Sequence, residues 1–310
     1  MRILVVGAGA IGGYFGGRLL AAGREVTFLV RPPRATALAR TGLVIKSPTG
    51  DAEIPNPPIV TADQLDTSYD LILLSCKAYD LAGAIESLAP AVGERTAIVP
   101  LLNGMRHLDD LRARFGDRAV LGGQCVISST LDPEGRIVHL NELHSLTFGE
   151  LAGGRSPRVE AIERELAGAG FDAAASEQIQ LDMWEKWVFL SSLAAATCLM
   201  RSAIGDLVAA GGADLSEGIL EEATAIAGAQ GYAPRPAFRE RAHGQLTQPG
   251  STFAASMLRD LELGRRTEAD HIIGDLLRRG EVTDQRSLLR IAYVHVRAAS
   301  ARREREAASA

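Results

Sequence analysis

RILVVGAGAIGG, residues 2–13, decides the fold. Residues 2–6 are a nearly unbroken apolar run ending at Gly7, which reads as a strand buried on both faces of a parallel sheet. Gly7, Gly9 and Gly12 follow in GxGxxG spacing, with Ala10 and Ile11 between them, and YFGGRLLAA (residues 14–22) continues as a helix stopped by Gly23. A second β-branched and apolar run, EVTFLV, occupies residues 25–30. Strand, tight turn, helix and strand within about thirty residues make one βαβ unit.

Outward from this unit the rhythm persists. Apolar runs recur at residues 70–76 (DLILLSC), 97–102 (AIVPLL) and 119–127, and the first two alternate with helical patterns near 80–89 and 107–114. This predicts an α/β fold, a Rossmann-type, doubly wound, mostly parallel sheet with helices on both faces. Residues 42–54 hold two short extended pieces around Pro48–Asp51, a hairpin inserted in the wound pattern, and a second hairpin turns at Asp132–Gly135 before a strand near 145–151. Beyond residue 157 no strand is evident. Ala- and Leu-rich helical periods run to the end, punctuated by Gly168–Gly170, Gly211–Gly212, Gly231 and Pro234–Pro236. The expected division is residues 1–170 as an α/β domain and 171–310 as an all-α domain.

Composition narrows the function classes. With 33 basic and 38 acidic residues the net charge is −5, so no strong field draws the chain to nucleic acid or an anionic membrane. Aromatic residues at 5% are too few for a base-stacking surface. Three widely spaced cysteines, Cys76, Cys125 and Cys198, exclude a disulfide framework and a CxxC metal site; they read as apolar fillers. The six histidines show no metal-ligand spacing. No apolar run reaches membrane-spanning length and the chain enters a strand at once, so a soluble, cytoplasmic protein is expected. Alanine-rich helices can pack within one subunit or between two, which leaves a homodimer open.

In the glycine turn, Gly7 permits a tight turn, Gly9 lets the backbone approach a pyrophosphate, and Gly12 lets helix and strand pack closely, with Ala10 and Ile11 on the same loop. The N–H groups of the helix start face the anion. Where NAD-preferring folds place an acid after the second strand, this chain has Arg31, nineteen residues after Gly12. A guanidinium fork matches a 2′-phosphate, so the residues favour NADP(H). The alternative is a solvated Arg31, with Glu25 or another acid serving the ribose. Lys77 and Asn103 each lie just past the C-terminal end of a strand, where ligands of open α/β sheets bind; each also reads as ordinary loop polarity.

In the helical half, residues 182–200 are apolar on almost every face, yet carry Lys186. A lysine desolvated there is a competent proton donor near neutrality; the alternative is a side chain snorkelling to water. Residues 253–263 read as a helix ended by Gly264, with Ser256 a turn into it. Thr267 and Asp270 form a capping pattern that puts Glu268 in the first turn of the next helix, where it could equally serve the helix dipole.

MRILVVGAGAIGGYFGGRL with the following LVR, then SCKAYD, LLNGM, and finally WEKW with SMLRDLELGRRTEAD together resemble the ketopantoate reductase (2-dehydropantoate 2-reductase) family over nearly the whole chain. The resemblance implies a Rossmann domain followed by a helical domain similar to that of 6-phosphogluconate dehydrogenase, with the active site in the cleft between them. It implies that Gly7, Gly9 and Gly12 hold the pyrophosphate and that Arg31 and Lys77 contact the 2′-phosphate. Asn103 would stand near nicotinamide and substrate, Lys186 would act as general acid, Ser256 would bind the substrate carboxylate, and Glu268 would orient lysine and substrate. The reaction implied is NADPH-dependent reduction of 2-dehydropantoate to pantoate, as in pantothenate biosynthesis. One departure bears on substrate. The family commonly has asparagines four and eight residues after the lysine, whereas this chain has Leu190 and Ala194, which favours a different, bulkier 2-oxoacid as the alternative. A third reading, a non-catalytic NADPH-binding sensor, finds no DNA-binding helix pair or basic patch to support it.

Overall fold

The computed structural model describes residues 1–308, in two compact units: residues 1–102 with 107–180, and residues 103–106 with 181 onward. In the first unit the chain forms β1 (Ile3–Val6), α1 (Ala10–Ala21), β2 (Val26–Leu29), α2 (Pro32–Thr41), β3 (Leu43–Lys46), β4 (Ala52–Ile54) and β5 (Ile59–Val60). It continues as β6 (Leu71–Leu74), α3 (Leu81–Leu88), β7 (Ala97–Pro100), α4 (Arg106–Phe115), β8 (Gly122–Leu131), β9 (Ile137–Gly149), α5 (Pro157–Leu166) and β10 (Asp172–Ala175).

The apolar runs pair as their burial demands. β5-β2-β1-β6-β7 make a parallel sheet in which all four residues of β1, β6 and β7 are buried. This is the Rossmann-like parallel sheet expected. The two hairpins are more than insertions. β3 pairs antiparallel with β4 and parallel with β9, β8 runs antiparallel along β9, and together they build a second, mixed sheet.

The expectation of no strand beyond residue 157 is corrected by β10, which pairs parallel with β9 from Asp172–Ser145 to Ala175–Phe148. Three alanines favour helix in isolation, but a free edge on β9 overrides that preference. The first unit consequently extends to Gln180.

α1 explains the second glycine pair of the sequence. A Cβ on Gly16 would lie 2.5 Å from the ring of Phe28, on the parallel sheet. A Cβ on Gly13 would lie 2.6 Å from Ile137, and one on Gly17 2.8 Å from Leu43 and Ile45, all on the mixed sheet. The helix is sandwiched between both sheets, and bare backbone lets each approach.

The second unit is helical: α6 (Ile179–Met200), α7 (Ile204–Ala209), α8 (Ala213–Ala229), α9 (Pro236–Leu246), α10 (Ser256–Glu262), a π turn at Asp270–Gly274 running into α11 (Asp275–Arg279), and α12 (Leu288–Ala308). α6 is the long apolar helix expected. Its buried hydroxyls are satisfied within the helix, Ser191 donating to the Trp187 carbonyl at 2.8 Å and Thr197 to that of Leu193 at 2.7 Å. Among the described residues no helix is long and apolar enough to cross a membrane, and no group of three or more His, Cys, Asp or Glu could hold a metal ion.

Candidate active site

In the first unit, the glycine turn is built by its neighbours. Gly7 takes φ +96°, a conformation glycine adopts freely. Ser75, just past β6, donates its hydroxyl to the carbonyls of Val6 at 2.9 Å and Gly7 at 3.2 Å. A Cβ on Gly12 would meet that hydroxyl at 2.0 Å and the Gly7 carbonyl at 2.2 Å, so the third glycine is a packing requirement. Gly9 faces open space, and α1 starts with no side-chain cap and no acid in its first turn. Uncapped N–H groups over an open glycine suit a diphosphate. Arg34 braces the loop, its Nε donating to the Ala8 carbonyl at 2.9 Å.

Arg31 ends β2 as expected, and its Nη2 lies 2.9 Å from Asp80 Oδ1. Asp80 belongs to the turn that begins at Lys77 after β6. The carboxylate holds the guanidinium pKa above its ordinary value, mainly through the hydrogen bond. Glu25, the alternative ribose acid, sits before β2, at the other end of that strand. Its carbonyl accepts from Ile3 N at 2.9 Å and its carboxylate lies 3.5 Å from Arg2 Nε. It therefore does not reach the glycine turn.

Asn103, Lys186, Ser256 and Glu268 all lie in the second unit. Lys186 is half-buried on α6, between Glu185 and Trp187, which are buried. Glu185 accepts from the Arg235 backbone N and Nε, each at 2.8 Å, and pairs with Arg235 Nη2, which also binds Asp182. Trp184 stacks on Tyr232 at 5.5 Å, and the Trp187 indole donates to the Ile272 carbonyl at 2.8 Å. WEKW is thus a lysine set in a rigid frame.

Ile272 lies in the π turn, and the other segments meet there too. His271 is buried and shares a hydrogen bond with the Asn103 backbone. Gly104, at φ +81°, packs so closely that a Cβ would lie 2.9 Å from His271 Cδ2. Burial lowers the His271 pKa, opposed by the nearby Glu268 and Asp275 carboxylates. Asp275 is buried and held by Arg278 at 2.7 Å and Arg279 at 3.0 Å. Half-buried Glu268 opens this segment, its carbonyl accepting from His271 N at 3.0 Å and Ile272 N at 2.9 Å. The cap therefore falls on Glu268, a correction to Thr267. Asp270, needed to close the expected box, instead accepts from the Tyr293 hydroxyl at 2.7 Å and pairs with Arg297 at 3.2 Å.

Ser256 is exposed and is the first residue of α10, where the sequence placed it a turn inside. The preceding residues are drawn out because Gly205 and Ile204 donate to the Ser251 and Phe253 carbonyls. The segment reaches α6 where Ala255 N donates to Thr197 Oγ1 at 3.4 Å. Thr197 is eleven residues after Lys186, about 16 Å along the same helical face. Leu190 and Ala194 lie on that stripe, the first half-buried and the second buried.

Sequence reasoning missed His271, Asp80 and the tethering role of Trp187. Each acts through a partner distant in sequence; only the strand-end position of the SCKAYD segment hinted at Asp80. Burial pushes the Cys198 thiol up to about 12, which leaves it unreactive.

A glycine-turn parallel sheet, followed by an all-helical unit in which the lysine-bearing helix is tied through Trp187 to a glutamate-led π turn packed on an Asn-Gly turn, defines a class: the two-domain oxidoreductases. Within it, residues 3–153 match the family model for ketopantoate reductase PanE/ApbA, and residues 178–286 match the model for its C-terminal region. The chain belongs to the ketopantoate reductase family and is an oxidoreductase of the 2-dehydropantoate 2-reductase type.

An uncharacterized oxidoreductase of Bacillus subtilis, YkpB, is 37% identical over 91% of this chain and 92% of its own length. The 2-dehydropantoate 2-reductase of Mesorhizobium japonicum is 28% identical over 92% of this chain and 93% of its own. The crystal structure of the Geobacter metallireducens 2-dehydropantoate 2-reductase superposes with a TM-score of 0.87 at 27% identity, covering 96% of this chain and all of its own. A D-mandelate dehydrogenase solved with NADH and anilino(oxo)acetate shares the fold at a TM-score of 0.86 and 20% identity, over 98% of this chain and all of its own.

Proposed function

We propose that the protein reduces a 2-oxoacid with NADPH in the cytoplasm, and that 2-dehydropantoate, giving pantoate, is its first candidate substrate. The reading is carried by the convergence of the Lys186 helix, the Asn103–Gly104 turn and Glu268 on one π turn. Residues 1–170 would hold the dinucleotide: Gly7, Gly9, Ala10, Ile11 and Gly12 on the pyrophosphate, Arg31 and Lys77 on the 2′-phosphate. The second unit, residues 103–106 with 181 onward, would carry the substrate.

A reduced nicotinamide, when bound, would supply the hydride for the ketone carbon. Lys186 gives its proton to the carbonyl oxygen as alkoxide character develops, a contribution of about 10²–10⁴ in rate. Glu268 would orient the ammonium and substrate, Asn103 would hold the substrate, and Ser256 would bind its carboxylate. Positioning of this kind depends on the frame. Trp187 and His271 supply it.

Leu190 and Ala194 support a second reading, a 2-oxoacid with a bulkier apolar side chain. An apolar wall rewards added methylene groups weakly and provides no partner for a hydroxyl. NADPH consumption with 2-dehydropantoate beside unbranched and bulkier 2-oxoacids separates the two. The highest kcat/KM for 2-dehydropantoate supports the first, and a bulkier acid leading the series replaces it with the second. Lys186→Met should lower turnover on the best substrate at least about 10²-fold. Unchanged turnover would remove the mechanism.

A further inference from the structure

β1 lies between β2 and β6 in the parallel sheet. Arg31 follows β2 and Asp80 follows β6, so their 2.9 Å ion pair links the segments that leave the two strands flanking β1, the strand that runs into the Gly7–Gly12 turn. Asp80 immediately precedes α3, where an aspartate commonly caps the first turn, yet its side chain makes no cap hydrogen bond. Its carboxylate is turned to the guanidinium instead. The side chains are 69% and 32% exposed, so a ligand can reach the pair and part it at small cost.

We propose that Asp80 is the residue that sets the choice between a 2′-phosphate and a 2′-hydroxyl, closing on Arg31 when no phosphate is present and accepting the ribose hydroxyl of an unphosphorylated dinucleotide. The inference rests on the nicotinamide-dinucleotide reading above. Asp80 holds the guanidinium at Nη2, so a phosphate that takes the fork in a bidentate way must share it with the carboxylate or displace it, and in either case meets it as a like charge. A ribose hydroxyl needs an acceptor, and Glu25 is remote. Asp80 thus takes the place of the acid that NAD-preferring folds carry at the end of the second strand, reaching it from the opposite side of β1. Arg31 and Lys77 still favour the phosphate; Asp80 narrows their margin.

Binding, read without turnover, tests this. NADPH and NADH are titrated by nicotinamide fluorescence, and adenosine 2′,5′-bisphosphate and AMP by calorimetry, against the native protein, Asp80→Asn and Asp80→Glu. Asp80→Asn should tighten NADPH about three- to tenfold and weaken NADH, raising the affinity ratio at least about fivefold, with the adenosine phosphates following the same order. Asp80→Glu, which keeps the charge, should stay within about twofold of the native ratio. A ratio in Asp80→Asn that is unmoved, or shifted toward NADH, overturns the role of Asp80 and leaves the parent reading standing. If the native protein binds neither dinucleotide, both fall.

Discussion

His271 is a buried imidazole wedged against the Asn103–Gly104 turn, three residues after Glu268. Burial lowers its pKa from the ordinary 6.5 even though two carboxylates pull the other way. Below pH 6.5 the unfolded chain takes up a proton that the folded chain refuses, so folding loses free energy as pH falls from 6.5 toward the lowered folded value. Above 6.5 the imidazole is neutral in both states and the contribution is complete. His144, whose pKa burial also lowers, adds a slope of the same sign. Urea midpoints measured from pH 7.5 to 5 should therefore decline, and His271→Gln should make the decline shallower. An identical slope in the variant would mean that His271 does not titrate as its burial requires.

The π turn at Asp270–Gly274 is the element on which the site depends. Irregular turns of this kind concentrate at functional positions because they re-aim side chains and free carbonyls from the helical ladder. Here the Ile272 carbonyl is met by the Trp187 indole, tying the turn to the helix that carries Lys186. Trp187→Phe removes the indole N–H and part of a fully buried ring, leaving a buried carbonyl unsatisfied and a small cavity, at a cost of at least about 1–3 kcal/mol in a chemical melt. If the tether also positions Lys186, kcat should fall more than KM rises; a stability loss with unchanged kcat would limit Trp187 to a structural role. None of this was legible from sequence. π turns have no local signature, and the residue that marks this one lies eighty-five positions from its carbonyl partner. The glycine turn was legible because strand, glycine spacing and helix lie within one short window. The capping of Glu268 failed by one residue because Asp270 is claimed by Tyr293 and Arg297, which no local pattern reveals.

At the scale of the molecule the parallel sheet could be read from its buried apolar runs, while the mixed sheet could not. Most of its strands were visible only as hairpin pieces and β10 not at all, because their assembly depends on pairings such as Ile45 with Ile137 and Asp172 with Ser145. The paired glycines of α1 held the missing signal, since a helix bare on both faces implies a second layer. This division of labour has a thermodynamic consequence. The glycine turn, Arg31 and Lys77 belong to the first unit, whereas Lys186 belongs to the second. A ligand bound only by the native state stabilises it by about 2.7 kcal/mol at a hundredfold excess over Kd. For a unit of roughly 180 residues that should raise the thermal midpoint by about 5–10 °C. Gly12→Ala forces a Cβ against the Gly7 carbonyl, so it should lower the unliganded midpoint and abolish the NADPH-induced rise. Lys186→Met should keep the full rise while losing turnover. A Gly12→Ala protein that still gains the native increment, or a Lys186→Met protein that gains none, would place cofactor binding elsewhere than the glycine turn.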